Sequence, residues 1–220
     1  MDKQLSEIMH YLDEVNSFSL PKYKELPGVP LYMEQVLQFV NDALSSLSAE
    51  DAKPWTSFMV NNYVKSKIID EPTKKKYSRD QIGYLIAITL MKTTVSMADL
   101  STLLKLDSGI STNKETLYRF WSDVEMSILS DAAKKTSSRV DAIYRRYKGE
   151  VGKLPAEQAE QNARDALGLI AMRLAIQAQA NKLLSDYIIA KISTSMGEPE
   201  RPQPKKTTSR KKATKKRRNT

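Results

Sequence analysis

The side chains best suited to a specific chemistry lie in "MVNNYVKSK", residues 59–67, where Asn61 and Asn62 are followed by Lys65 and Lys67. An asparagine amide offers a donor and an acceptor side by side, the pattern that pairs with the edge of adenine in the DNA major groove, and a lysine reaches guanine or a phosphate. A second group, "KKKYSR" at 74–79, sets Lys74, Lys75 and Lys76 ahead of Tyr77 and Arg79. Three like charges in succession repel one another and cannot be buried together, so they face solvent or an anion. Residues 53–79 carry seven basic and two acidic side chains. That concentration is what a phosphate-facing patch requires.

Other chemistries are poorly provided for. The chain has no cysteine, which removes disulfides, a thiol nucleophile and any thiolate metal site. The single histidine, His10, cannot complete a Ser-His-Asp triad without further partners. The seven glycines are scattered and form neither a P-loop nor a dinucleotide fingerprint. Carboxylates such as Asp123 and Glu125 have no spacing that distinguishes catalysis from a solvated helix face. The expectation is therefore no enzyme activity, no cofactor and no metal. Tyr118, Phe120, Trp121 and Tyr144 are aromatic enough to line a ligand pocket, but their helical spacing is that of core residues, and no small-molecule effector is assigned.

Charge divides the 220-residue chain in two. From Arg201 onward there are ten basic residues and no acid, while the preceding 200 residues hold 25 basic and 26 acidic side chains. The whole net charge of +9 thus resides in the tail, on Lys205, Lys206, Arg210, Lys211, Lys212, Lys215, Lys216, Arg217 and Arg218 together with Arg201. With no aliphatic or aromatic side chain larger than Ala213, residues 197–220 are expected to be a disordered polybasic tail. Such a tail attracts nucleic acid by counterion release without reading its sequence. A membrane partner is not expected. The most apolar run, "ALGLIAMRLAIQAQA", is too short for a bilayer core that needs about 20 residues, and "MDKQLSEIMHYLDEV" lacks the continuous apolar region of a signal peptide.

The elements that must position these residues read as helices. Leu5, Ile8, Met9, Leu12 and Val15 follow the three-four spacing of an amphipathic helix, which a proline-rich linker ends; residues 1–24 are this N-terminal amphipathic helix and linker. A second helix carries Met33, Val36, Leu37, Val40, Leu44 and Leu47 on one face, before a polar break at 48–53. In a third, over 54–69, Phe58, Met59 and Tyr63 are expected in the core, with Asn61, Asn62 and Lys65 outward. Pro72 stops it, and Ser78 with Gln81 forms the capping box that opens a helix over 79–92. That helix should bury Ile82, Leu85, Ile86, Ile88, Thr89 and Leu90. A short helix capped by Ser96 and Asp99 follows. Next comes a long helix with Leu117, Phe120, Trp121, Val124, Ile128 and Leu129 on one stripe and a break near Ser137, then a loop at 148–155.

The last helix, over 156–193, has two apolar rows. Leu167, Ile170, Leu174, Leu184 and Ile188 form one; Leu169, Met172, Ile176, Leu183 and Tyr187 form the other. A helix apolar on more than one face needs several neighbours, and a homodimer through these C-terminal helices is expected.

"MVNNYVKSKIIDEPTKKKYSRDQIGYLIAITLMKTTVSMADLSTLL", with the preceding "LPGVPLYMEQVLQFV", resembles the bacterial family of domain of unknown function 1836, whose members show an M-[IV]-N-N-Y-V-K helix and a K-K-Y-[ST]-R turn. The same stretch is similar to the DNA-binding domain of MerR-type regulators, in which a recognition helix leads to a basic wing and a Tyr-Ser helix start. Here those elements are Asn62-Tyr63, the lysines at 74–76, Tyr77-Ser78 and "VSMADL". The arginine that MerR-type recognition helices often carry before the aromatic pair is replaced by Asn61 and Asn62.

The resemblance covers residues 25–107 and implies a MerR-like winged helix-turn-helix domain there; with the helical periodicity of the rest, the expectation is an all-α protein with a helical hairpin or dimerisation region over 108–196 and the disordered tail over 197–220. The resemblance implies base reading by Asn61, Asn62 and Lys65. Phosphate or wing contacts would come from Lys67, Lys74, Lys75, Lys76, Tyr77 and Arg79, with Tyr63 and Tyr77 either packing the wing root or touching phosphate. The expected partner is double-stranded DNA, and the expected role that of a cytoplasmic, nucleoid-associated transcriptional regulator. The alternative is a nonspecific nucleic-acid-binding or nucleoid-organising protein driven by the tail.

Overall fold

The computed structural model describes residues 1–47, 54–110 and 113–197. The polar break at 48–53 and the tail cations Arg201, Lys205, Lys206, Arg210, Lys211, Lys212, Lys215, Lys216, Arg217 and Arg218 lie outside the described residues. Within them are seven α-helices: α1 (Asp2–Ser17), α2 (Met33–Ala43), α3 (Ser57–Lys65), α4 (Arg79–Met91), α5 (Met97–Ile110), α6 (Lys114–Glu150) and α7 (Ala156–Ser195). Two residue pairs, β1 (Leu31–Tyr32) and β2 (Lys76–Tyr77), add a small antiparallel sheet, with Leu31 opposite Tyr77 and Tyr32 opposite Lys76. No helix of the described residues is long and apolar enough to cross a membrane.

Two apolar cores form at different places along the chain. The larger joins Leu20, Leu26, Val36, Val40, Trp55, Val60, Tyr63, Ile69, Tyr77, Ile82, Leu85, Ile86, Ile88, Leu100 and Tyr118. It uses α2 to α5 and the first turns of α6. The smaller gathers Leu5, Val140, Tyr147, Ala159 and Ala163, where the N-terminal helix lies on α6 beside the start of α7. Asp2 pairs with Lys148 at 2.8 Å and Asn16 meets Ser130 at 2.9 Å, which fixes α1 antiparallel to α6. His10 is a surface residue there, 3.5 Å from Glu14.

Local chemistry explains the element ends. The Ser78 hydroxyl accepts from the Gln81 amide, and the Gln81 side chain accepts from the Ser78 amide at 2.7 Å, completing the expected capping box. Ser96 accepts from the Asp99 amide at 3.2 Å and donates to its carboxylate at 2.6 Å. Asn113 starts α6 by accepting from the amides of Glu115 and Thr116.

Three expectations are corrected. Helix α6 runs through Ser137 without a break and on to Glu150, with Thr136 and Val140 buried across that point by packing on the N-terminal helix side. Its expected stripe divides: Trp121 packs on the larger core, while Phe120, Val124 and Ile128 are exposed. In α4, Thr89 and Leu90 are only partly buried.

Candidate nucleic-acid interface

Helix α3 is short and its ends are well defined. Thr56 caps it by accepting from the Met59 amide at 3.4 Å, and the Trp55 amide donates to the Asn41 side chain at 2.9 Å, tying the start of α3 to α2. At the other end the Lys67 amide donates to the Val64 carbonyl and the Ile68 amide to the Tyr63 carbonyl. These are the two bonds of a Schellman stop, which places Lys67 in the left-handed region at φ 56°.

The inner face of α3 is Met59, Val60 and Tyr63, with Tyr63 5.5 Å from the Trp55 ring. Phe58 is not in the core as expected; it is 71% exposed. Val60, fully buried, takes the inner position instead, because Trp55 and Tyr63 set the helical phase. The outer face is therefore Phe58, Asn61, Asn62 and Lys65, the spacing that aligns side chains on one side of a helix. Among the described residues neither asparagine side chain is engaged in a hydrogen bond. An outward apolar ring beside two amides and a cation supplies a contact for a thymine methyl as well as polar base contacts. Sequence periodicity misses Phe58 because residues 58–60 are all apolar, and any of the three can be turned inward.

The lysine run forms a tight turn. Thr73 and Lys76 bridge across it, the Lys76 amide donating to the Thr73 carbonyl at 3.0 Å. Lys74 and Lys75 occupy its two central positions at φ 51° and 63°, both exposed. Two consecutive left-handed residues make a type I′ turn, which ordinarily takes Asn-Gly. With Lys67, every non-glycine residue at positive φ among the described residues is a lysine of this segment.

The root of the turn is held by packing and by one amide. Tyr77 is 2% exposed and fills the core, so it is not a phosphate-facing residue; Tyr63 is buried too. Burial raises the phenol pKa of both. Lys76 lies 4.7 Å over the Tyr32 ring across the β1–β2 pair. Arg79 is half-buried and turned inward, its guanidinium 5.4 Å from the Tyr23 ring and close enough to Gly28 that a Cβ there would stand 2.9 Å from it. Gln81, buried, donates its amide to the Asp70 carbonyl at 2.8 Å while capping Ser78. It clamps the start of the turn to the start of α4, a role that its capping position alone does not reveal.

The larger core closes between Tyr118 and Pro21, the Tyr118 hydroxyl donating to the Pro21 carbonyl at 2.9 Å. Residues 21–121 match the family described as Domain of unknown function (DUF1836). The limits of the DUF1836 segment thus coincide with that closure, and it includes the first two turns of α6 that the range 25–107 omits. No curated protein and no solved structure matches the chain. Within the DUF1836 segment Tyr118, Phe120 and Trp121 line a cavity of about 290 Å³ with Tyr23 and Met91. Tyr144 lies elsewhere, beneath Lys148.

Proposed function

We propose that this chain is a sequence-specific DNA-binding protein, a transcriptional regulator whose residues 25–107 act as a MerR-like winged helix-turn-helix. Helix α3 enters the major groove with Phe58, Asn61, Asn62 and Lys65, and the turn bearing Lys74 and Lys75 is the wing that meets the phosphates. Lys67 and Lys76 add charge at its base, and the tail adds attraction that does not depend on sequence.

The observation that carries this reading is the outer face of α3: two side-chain amides that make no hydrogen bond among the described residues, flanked by an exposed aromatic and a lysine, on a helix followed at once by a lysine-tipped turn. A chain whose only task is to fold gains nothing from lysine at left-handed positions that asparagine or glycine fills at lower cost.

The alternative, a nonspecific organiser of nucleic acid, is favoured by the ten cations of the tail. Duplex binding measured over a range of salt separates the two. A regulator keeps an affinity gap between a preferred and a scrambled sequence as salt rises, whereas a tail-driven complex loses affinity steeply and equally on both.

A further inference from the structure

Helix α7 is held at both ends and bare between them. Near its start Ala159 and Ala163 are buried with Leu5, Val140 and Tyr147. Near its end Ile189 and Ser193 are buried where the helix meets α5, and Lys182 Nζ donates to the Thr94 carbonyl at 2.9 Å. From 171 to 185 every residue is exposed. In and beside that span Leu169, Met172, Ile176, Leu183 and Tyr187 make one apolar row, Leu169 being 67% exposed, and Leu174, Leu184 and Ile188 make a second.

We propose that a second copy of this chain covers this face, the two α7 helices pairing antiparallel about a two-fold axis near Gln179. Eight large apolar side chains, all bare in the single chain, present on the order of 800 Å² per protomer, which is what each partner contributes to a stable specific interface. The tail cannot cover them, since it has no aliphatic or aromatic side chain larger than Ala213.

Position along the helix selects the antiparallel arrangement. The apolar positions fall in two clusters, 169–176 and 183–188, on either side of the polar and small segment "QAQAN" at 177–181. Antiparallel pairing lays one cluster on the other, with Met172 against Tyr187 and Ile176 against Leu183 of the second copy. It also keeps Arg173, which has no acidic partner among the described residues, away from its own copy; parallel pairing would stack Arg173 on Arg173. The exposed row Phe120, Val124 and Ile128 on α6 supplies the further neighbour that a helix with two bare rows needs.

Pairing of α7 does not depend on DNA binding, and mass and cross-linking alone test it. Light scattering on the full chain should give twice 24.9 kDa. Ile176→Glu with Leu183→Glu, at exposed positions that leave both cores untouched, should halve that mass with helical circular dichroism retained. Because the chain has no cysteine, single introduced thiols report register cleanly. Gln179→Cys should oxidise to a covalent dimer, Met172→Cys alone should not, and Met172→Cys mixed with Tyr187→Cys should cross-link. A monomer at every attainable concentration would overturn the proposal, as would self-linking of Met172→Cys, which requires parallel helices. A regulator that binds its site as a monomer would fail this inference and leave the DNA-binding reading standing.

Discussion

Lys74 and Lys75 are consecutive residues in the left-handed region, held side by side at the tip of a turn closed by Thr73 and Lys76. Left-handed backbone costs a side chain with a Cβ about 1–2 kcal/mol per residue, and a long aliphatic stem recovers none of it in solvent. Charge at that spot is the property that only lysine, and not Asn-Gly, supplies.

Lys74→Asn with Lys75→Gly should therefore move stability and binding in opposite directions. The unfolding free energy is expected to rise by about 1 kcal/mol, with the melting temperature rising accordingly, and duplex affinity to fall on every sequence alike. The slope of log affinity against log salt should shrink by about two, one for each lysine that no longer meets a phosphate. Calorimetry and fluorescence anisotropy check the two halves independently. A destabilised variant with unchanged affinity would mean that the lysines serve the turn and not a phosphate.

Phe58→Ala and Asn62→Ala should behave as base-reading changes. Both side chains lie on the outer face of α3, and Phe58 is so exposed that truncation costs little folding energy. Each should lose about 1–3 kcal/mol on the preferred duplex and almost nothing on a scrambled one. Equal loss on both duplexes would remove the residue from the readout.

Gln81→Ala tests the clamp at the root of the turn. It deprives the connection from Asp70 to Ser78 through the buried Gln81 side chain of two hydrogen bonds, at 2.8 and 2.7 Å, and should cost about 1–3 kcal/mol of stability. Hydrogen exchange should show faster opening of the amides at 76–78, with α6 and α1 unaffected.

Alkaline pH tests the closure of the larger core. Burial, reinforced by the hydrogen bond to Asp80, pushes the Tyr23 phenol up to about 12 from an ordinary 10.0; burial, with the charge of Glu25, does the same to Tyr118. Both raised values favour the neutral phenol in the folded chain. Stability should be independent of these groups below pH 10 and fall between about pH 10 and 12, where the unfolded chain loses its protons first. Tyr118→Phe should make that alkaline fall shallower while lowering stability at neutral pH through loss of the bond to Pro21. An unchanged alkaline slope would contradict the assignment.

How much of the fold is legible in the residues follows from how local each signal is. The capping box at Ser78 and Gln81, the Ser96 and Asp99 pair, and the start of α7 at 156 rest on neighbours within one turn of helix, and the folded chain keeps them. The inward turn of Val60 in place of Phe58 depends on Trp55 and Tyr63 docking against other helices. The β1–β2 pairing joins residues 31–32 to 76–77 with no alternation long enough to read. The docking of α1 on α6 joins Asp2 to Lys148, far apart in sequence, and no local pattern encodes it. The lysine run is plain in the sequence, but its left-handed backbone is not, since lysine is the wrong residue for that conformation.

In vitro selection of duplex DNA at near-physiological salt tests the central claim most directly, run on the full chain and on the chain ending at residue 200 with its helical content verified. A reproducible motif is predicted in both, arranged as an inverted repeat and lost from both when Asn61, Asn62 and Lys65 are replaced by alanine. Enrichment of no motif, with binding confined to the full chain, would contradict sequence-specific recognition and assign nucleic-acid binding to the tail.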